Sequence, residues 1–188
     1  MRSVLKNSGE APCEAGQDLG VMISFDDAIA AERAEGFLRL LEQNFKEESG
    51  RLLHQWWSHQ VLAFTLMREL AALEAASADL IIMAIRDAPE LDETVAAWLH
   101  RSLGLRQGRA GTLVVLLDSD LNHPDAAQGS LCQLKQAAAA GGMNFFAASA
   151  RAGMNQGASL VASGIAAATR RGAREPKAAG SLRAAYEL

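Results

Sequence analysis

Asp26-Asp27, Arg86-Asp87 and Asp118-Ser119-Asp120 each stand directly after a short apolar run, Val21–Phe25, Leu80–Ile85 and Leu113–Leu117. Carboxylates released from the ends of several buried strands suit a hard cation. Mg²⁺ prefers oxygen ligands, and acids crowded at one edge repel one another unless a cation, a proton or an arginine compensates. Asp26, Asp118 and Asp120 are the candidate ligands for a Mg²⁺ ion. Asp27, Arg86, Asp87, Ser119 and His123 are further candidates for contact with a ligand at the same edge. The competing role for these acids is capping, since aspartate is an ordinary residue where a strand turns into a helix.

Other groups with chemical potential are less suggestively placed. His54 and His59 flank Trp56-Trp57, but a spacing of five suits neither one helical face nor one strand face for shared metal ligation. The tryptophan pair reads as one core residue and one edge or interface residue, so Trp56 and Trp57 are candidate contact residues for a partner. Ser24, Ser58 and Ser149 sit in no nucleophile elbow. The glycine-rich stretches, residues 104–111 and Gly141-Gly142, enter strands rather than leave them and match neither a P-loop nor GxGxxG. Cys13 and Cys132 show no metal or redox spacing, which fits a reducing compartment.

The elements that must position the acids follow from periodicity. Gly20–Phe25 predicts a buried strand. Ala30, Ala34, Phe37, Leu38, Leu41 and Phe45 then recur at three- and four-residue steps and predict an amphipathic helix. Residues 52–58 read either as a second strand with an aromatic end or as the start of the next helix. Leu62, Leu66, Leu70 and Leu73 predict one helix running to about Ala76. The run Ala78–Ile85 is a strand. Pro89, Glu90, Asp92 and Glu93 open a helix that Gly104 stops, and Thr112–Leu117 is another strand. Leu131, Leu134 and Ala138 support a helix ended by Gly141-Gly142, and Met143–Ala148 is the fifth strand.

Repeated β-α units predict an α/β fold, a three-layer α/β/α sandwich on a mostly parallel sheet of four to five strands, with the flavodoxin-like order 2-1-3-4-5. Every strand then ends on one edge, and ligands bind there, near the reversal of strand order. That is where the acids lie. The expected organisation is a disordered leader over 1–18, one domain over 19–149, and an Ala/Gly/Arg-rich tail over 150–188. In that tail, residues 158–171 have room to form a helix before disorder.

Val21–Asp27, a helix, and Asp79–Ile85 resemble the receiver domain of two-component regulators, in which an acidic pair follows the first strand and a phosphorylated aspartate ends the third. The resemblance spans about 130 residues and is specific at Asp26-Asp27. It departs where Ala84 takes the phosphoacceptor position, since alanine offers no nucleophile, and Asn144–Ala148 lacks the family's lysine. It therefore implies a degenerate receiver-like module used for contacts. Leu113–Asp120 is also similar, over eight residues, to the strand-end DxD of nucleotide-sugar glycosyltransferases, where two carboxylates hold a metal on a diphosphate.

Charge is unevenly shared. The chain of 188 residues carries a formal charge of -4, with 12 basic against 20 acidic residues in 1–150 and six against two in 151–188. An acidic body argues against nucleic acid as the partner, and the cluster Arg170-Arg171-Gly172-Ala173-Arg174 is short for that purpose. Neither a signal-peptide core nor a run of about 18 apolar residues is present, so a cytoplasmic protein without a membrane span is expected. The functional expectation is a non-catalytic regulatory or protein-interaction module, with a protein partner or homo-oligomer. The alternative is a Mg²⁺-dependent enzyme acting on a phosphorylated or nucleotide substrate through the acidic edge.

Overall fold

The computed structural model describes residues 18–45, 51–86, 90–118 and 128–149. Residues 1–17 of the leader, the tail with its predicted helix over 158–171, and the candidate residues Asp87, Ser119, Asp120 and His123 lie outside them. In chain order the elements are β1 (Leu19–Phe25), α1 (Ala28–Phe45), β2 (Leu52–Ser58), α2 (His59–Leu62), α3 (Thr65–Ser77), β3 (Leu80–Ala84), α4 (Glu93–Leu105), β4 (Gly111–Leu117), α5 (Gln128–Ala140) and β5 (Met143–Ser149). The five strands form one parallel sheet in the order β2-β1-β3-β4-β5, a flavodoxin-like α/β fold.

Parallel strands covered on both faces read as unbroken apolar runs, and β3 is the purest case, with all five residues buried. Its side chains alternate between two cores. Ile81 and Met83 pack with Met22, Trp98, Leu99, Leu113 and Val115 on the side of α3, α4 and α5. Leu80, Ile82 and Ala84 pack with Val21, Ile23, Phe37, Leu41 and Val114 on the side of α1. The two-residue period of a strand thus divides one apolar sequence between two layers.

Residues 52–58 are a strand, paired with β1 from Leu19 opposite Leu52 to Phe25 opposite Ser58. A strand at the sheet edge needs no continuous apolar run, which is why this segment is ambiguous by pattern: Leu53, His54, Gln55 and Trp56 are exposed. The single helix expected from Leu62 to Ala76 is a correction. The chain forms a short α2 and a longer α3, separated at Ala63-Phe64, where Phe64 adopts extended backbone. The leucine spacing marks a helix but not its buried side. Ala71, Ala72 and Ala75 face the core, whereas Leu66, Leu70 and Leu73 are 72%, 44% and 57% exposed. Small side chains let α3 lie close to the sheet and to α4, and its larger ones are left outside.

The edge where strands begin is closed by Arg106. Its guanidinium is buried and donates to the carbonyls of Ala75 at 3.0 Å, Ala78 at 2.7 Å and Ala110 at 3.0 Å, joining the end of α3 to the entries of β3 and β4. Burial and the neighbouring Arg109 lower its pKa, and Asp79 opposes them. Among the described residues, no helix is long and apolar enough to cross a membrane.

Candidate functional site

Strand order reverses between β1 and β3, and the chain leaves those strands at Asp26 and Arg86. Asp26 continues the strand ladder through its backbone N–H to Ala84 O at 3.3 Å. Its Oδ2 accepts from the Arg86 backbone N–H at 2.9 Å and from Arg86 Nε at 3.3 Å. Arg86 Nε also stands 3.3 Å from Asp27 Oδ2. Asp27 Oδ1 accepts from the Ala30 N–H at 2.8 Å and so caps α1. The acidic pair is therefore divided in use: Asp27 mainly starts a helix and Asp26 ties β1 to the exit of β3.

Asp118, at the end of β4, is met differently. Arg33 projects from α1 under the sheet edge and donates to the carbonyls of Ile85 at 3.0 Å and Leu116 at 3.2 Å. Its Nη2 lies 3.2 Å from Asp118 Oδ1, within ion-pair distance but without hydrogen-bond geometry. Of the compensations open to a crowded acidic edge, arginine is the one observed at Asp26, Asp27 and Asp118. Among the described residues no group of three or more His, Cys, Asp or Glu side chains is arranged to hold a metal ion. Asp120, the third expected ligand, lies outside those residues.

A cleft of about 500 Å³ opens at the reversal point, lined in part by Asp26, His59, Ile85, Arg86, Asp92 and Val95. His59, set aside by its spacing from His54 as a shared metal ligand, is the residue that the sequence does not bring to this edge. It begins α2, whose cap is Ser58, with Oγ accepting from the Gln60 N–H at 3.3 Å, and the strand-to-helix turn folds it toward the end of β1. Burial lowers its pKa from 6.5 to about 4, and the charges of Asp26 and Asp92 oppose that shift. The imidazole is therefore neutral at physiological pH.

Among the described residues, His59 Nε2 and Asp26 Oδ1 are both buried without a hydrogen-bond partner. An edge histidine beside a Ser cap was the available signal, and only the β2-β1 pairing brings it to Asp26. Asp92 is otherwise engaged, capping α4 by accepting from the Thr94 and Val95 N–H groups at 2.9 and 3.2 Å. The cleft offers acceptors and a neutral imidazole. Ala84, at the end of β3, is fully buried in the α1-side core and does not line the cleft.

The tryptophans separate to the two faces of the sheet. Trp57 packs against the α3-side core and its Nε1 donates to Glu74 of α3 at 2.7 Å. Trp56 is partly exposed on the α1 side, edge-on to Phe25 with ring centroids 6.1 Å apart, and its Nε1 donates to His54 Nδ1 at 3.2 Å.

No family model and no curated protein matches the chain. Among solved structures it is similar to a flavo di-iron protein from Thermotoga maritima, with a TM-score of 0.48 and 9% identity. That match covers 84% of this chain and spans 37% of the other, so the likeness concerns about a third of that protein's length.

Proposed function

We propose that this flavodoxin-like domain is a non-catalytic protein-interaction module whose recognition surface is the outward face of α3, and that the partner on that face is a second copy of the chain. The carrying observation is the exposure of Leu66, Leu70 and Leu73, flanked by Phe64 at 67% and Met67. Their spacing of four and three residues makes one stripe along the helix. At about 200 Å² for a fully exposed large apolar residue, these five side chains present roughly 500 Å², at the upper end for a monomer's largest apolar patch.

Self-pairing suits this face. The charges beside the stripe are engaged within the chain, Glu69 by Arg101 Nε at 3.2 Å, Glu74 by Trp57, and Arg68 by donation to the Leu62 carbonyl at 3.2 Å. Antiparallel contact about a two-fold axis sets Leu70 against Leu70 and Leu66 against Leu73, and buries about 1,000 Å² in total, enough for a specific but modest interface. Sedimentation equilibrium between about 1 and 500 µM should give a micromolar Kd. The variant carrying Leu66→Gln, Leu70→Gln and Leu73→Gln should remain monomeric with unchanged helicity. A wild-type chain that is monomeric throughout, or a variant that associates equally, overturns the proposal.

The cleft supports a second reading, a ligand-binding or Mg²⁺-dependent enzyme site, through the unpartnered Asp26 Oδ1 and His59 Nε2. A bound ion must stabilise the fold by mass action, so thermal midpoints measured with and without millimolar Mg²⁺ test it. A midpoint that does not move removes the metal-dependent form of this reading.

A further inference from the structure

A second surface lies on the opposite face of the sheet, independent of α3. Between α1 and the edge strand β2 runs a groove of about 520 Å³, lined by Glu32, Glu35 and Glu42 on one side and His54 and Trp56 on the other. Arg39 also lines it but is ion-paired with Glu35 one turn away. Three carboxylates against one guanidinium leave the groove acidic, and neither Glu32 nor Glu42 has an ion pair among the described residues. Trp56, steadied by Phe25 and His54, presents an aromatic surface to the same groove, and aromatic faces attract cations, arginine above all. β2 is the outermost strand of the sheet among the described residues.

We infer that this groove docks the chain's own basic segment, residues 170–183, whose arginines neutralise Glu32 and Glu42 and cover Trp56. Charge complementarity is the first argument. Arg170, Arg171, Arg174, Lys177 and Arg183 fall within that segment against the single acid Glu175, while residues 1–150 are acidic overall. Chain length is the second. β5 and β2 are opposite edges of the sheet, four strand spacings or about 19 Å apart. The twenty residues from 150 to 169 can span up to about 65 Å, so the segment reaches the groove with slack. A free basic peptide would lose entropy on docking, whereas a tethered one is held at high effective concentration. The segment holds Gly172, Pro176 and Gly180. It therefore docks through side chains rather than by adding a regular strand to β2.

The three indole N–H resonances of the full-length chain test this. Trp56 reports the groove, Trp57 reports the α3 side through Glu74, and Trp98, fully buried, reports the core. Replacing Arg170, Arg171 and Arg174 with glutamate should move the Trp56 signal by more than its linewidth and leave Trp57 and Trp98 in place. Raising salt to about 0.5 M should move the wild-type signal in the same direction, because screening then acts within a few ångströms. Adding Glu32→Arg and Glu42→Arg to the glutamate variant should restore the wild-type position.

A Trp56 signal indifferent to the tail charges, or a charge exchange that restores nothing, overturns the inference. A wild-type signal that changes on about hundredfold dilution assigns the groove to another copy's tail and overturns it as well. Failure of the α3 proposal would show in sedimentation and at Trp57, so the two are separable.

Discussion

Arg33 and Asp118 stand 3.2 Å apart, yet the arginine side chain is 4% exposed and the aspartate 57%. The arginine's principal partners are the carbonyls at the ends of β3 and β4, and the carboxylate closes over it from solvent. The two partners should therefore respond unequally to replacement. Arg33→Met should cost about 2–4 kcal/mol, because two buried carbonyls lose a charged donor. Asp118→Asn should cost about 1 kcal/mol or less, as an exposed partner of an ion pair. Urea unfolding of the two variants checks the order, and equal losses would contradict it.

Stability should also carry the signature of His59. Unfolded, the imidazole takes its proton near 6.5; folded, only near about 4. Between those values the unfolded chain binds more protons, so stability falls as pH drops from 6.5 toward 4 and levels off below. Above 6.5 the contribution is complete. Its size is on the order of 3 kcal/mol. Carboxylates titrate in the same range, so the informative quantity is the difference between wild type and His59→Gln, measured at pH 7.5 and at pH 4.5. Parallel losses in the two proteins would show that His59 is not buried as described.

The orientation of α3 predicts opposite outcomes on its two faces. Below the concentration at which copies pair, Leu70→Gln should change stability by less than about 1 kcal/mol, since that side chain meets water in the single chain. Ala72→Leu, on the buried face, should cost about 1–3 kcal/mol by overpacking. Thermal denaturation of both variants distinguishes this arrangement from one with the leucines in the core, for which the signs of the comparison reverse.

Two glycines make a similar pair. A Cβ on Gly111 would run into the Arg106 guanidinium and come within 3.0 Å of the Asp79 carbonyl oxygen, whereas a Cβ on Gly104, in α4, meets nothing within 4 Å among the described residues. Gly111→Ala should destabilise by about 1–3 kcal/mol, and Gly104→Ala should stabilise by up to about 1 kcal/mol through helix propensity. Chemical denaturation reads both.

The strands buried on both faces were legible because burial writes itself as unbroken Ile, Leu and Val, as in Leu80–Ala84 and Thr112–Leu117. The β-α alternation pointed to a parallel sheet, and the flavodoxin-like order expected for it is the order observed. What escaped depended on partners distant in sequence. Residues 52–58 need β1 alongside to be a strand. Leu66, Leu70 and Leu73 announce a helix, but the side that α3 turns inward is decided by close approach to α4, which alanine permits and leucine does not. At the edge, the acids were visible as a group. Arg86 was visible among them, but Arg33 was not, because it sits mid-helix among charged neighbours and reaches the strand ends only once α1 is laid across the sheet.

The position of β1 bears on how the chain is made. It lies between β2 and β3, both of which follow it in sequence, and its register with β3 runs from Val21 opposite Leu80 to Phe25 opposite Ala84. During synthesis β1 can pair with β2 once Ser58 is free of the ribosome, but its other side stays open until Ala84 has emerged as well. Its apolar residues Val21, Met22 and Ile23 wait meanwhile in a chain of growing length. Nascent forms ending before β3 should for that reason be the ones that chaperones retain and that proteases cut within β1.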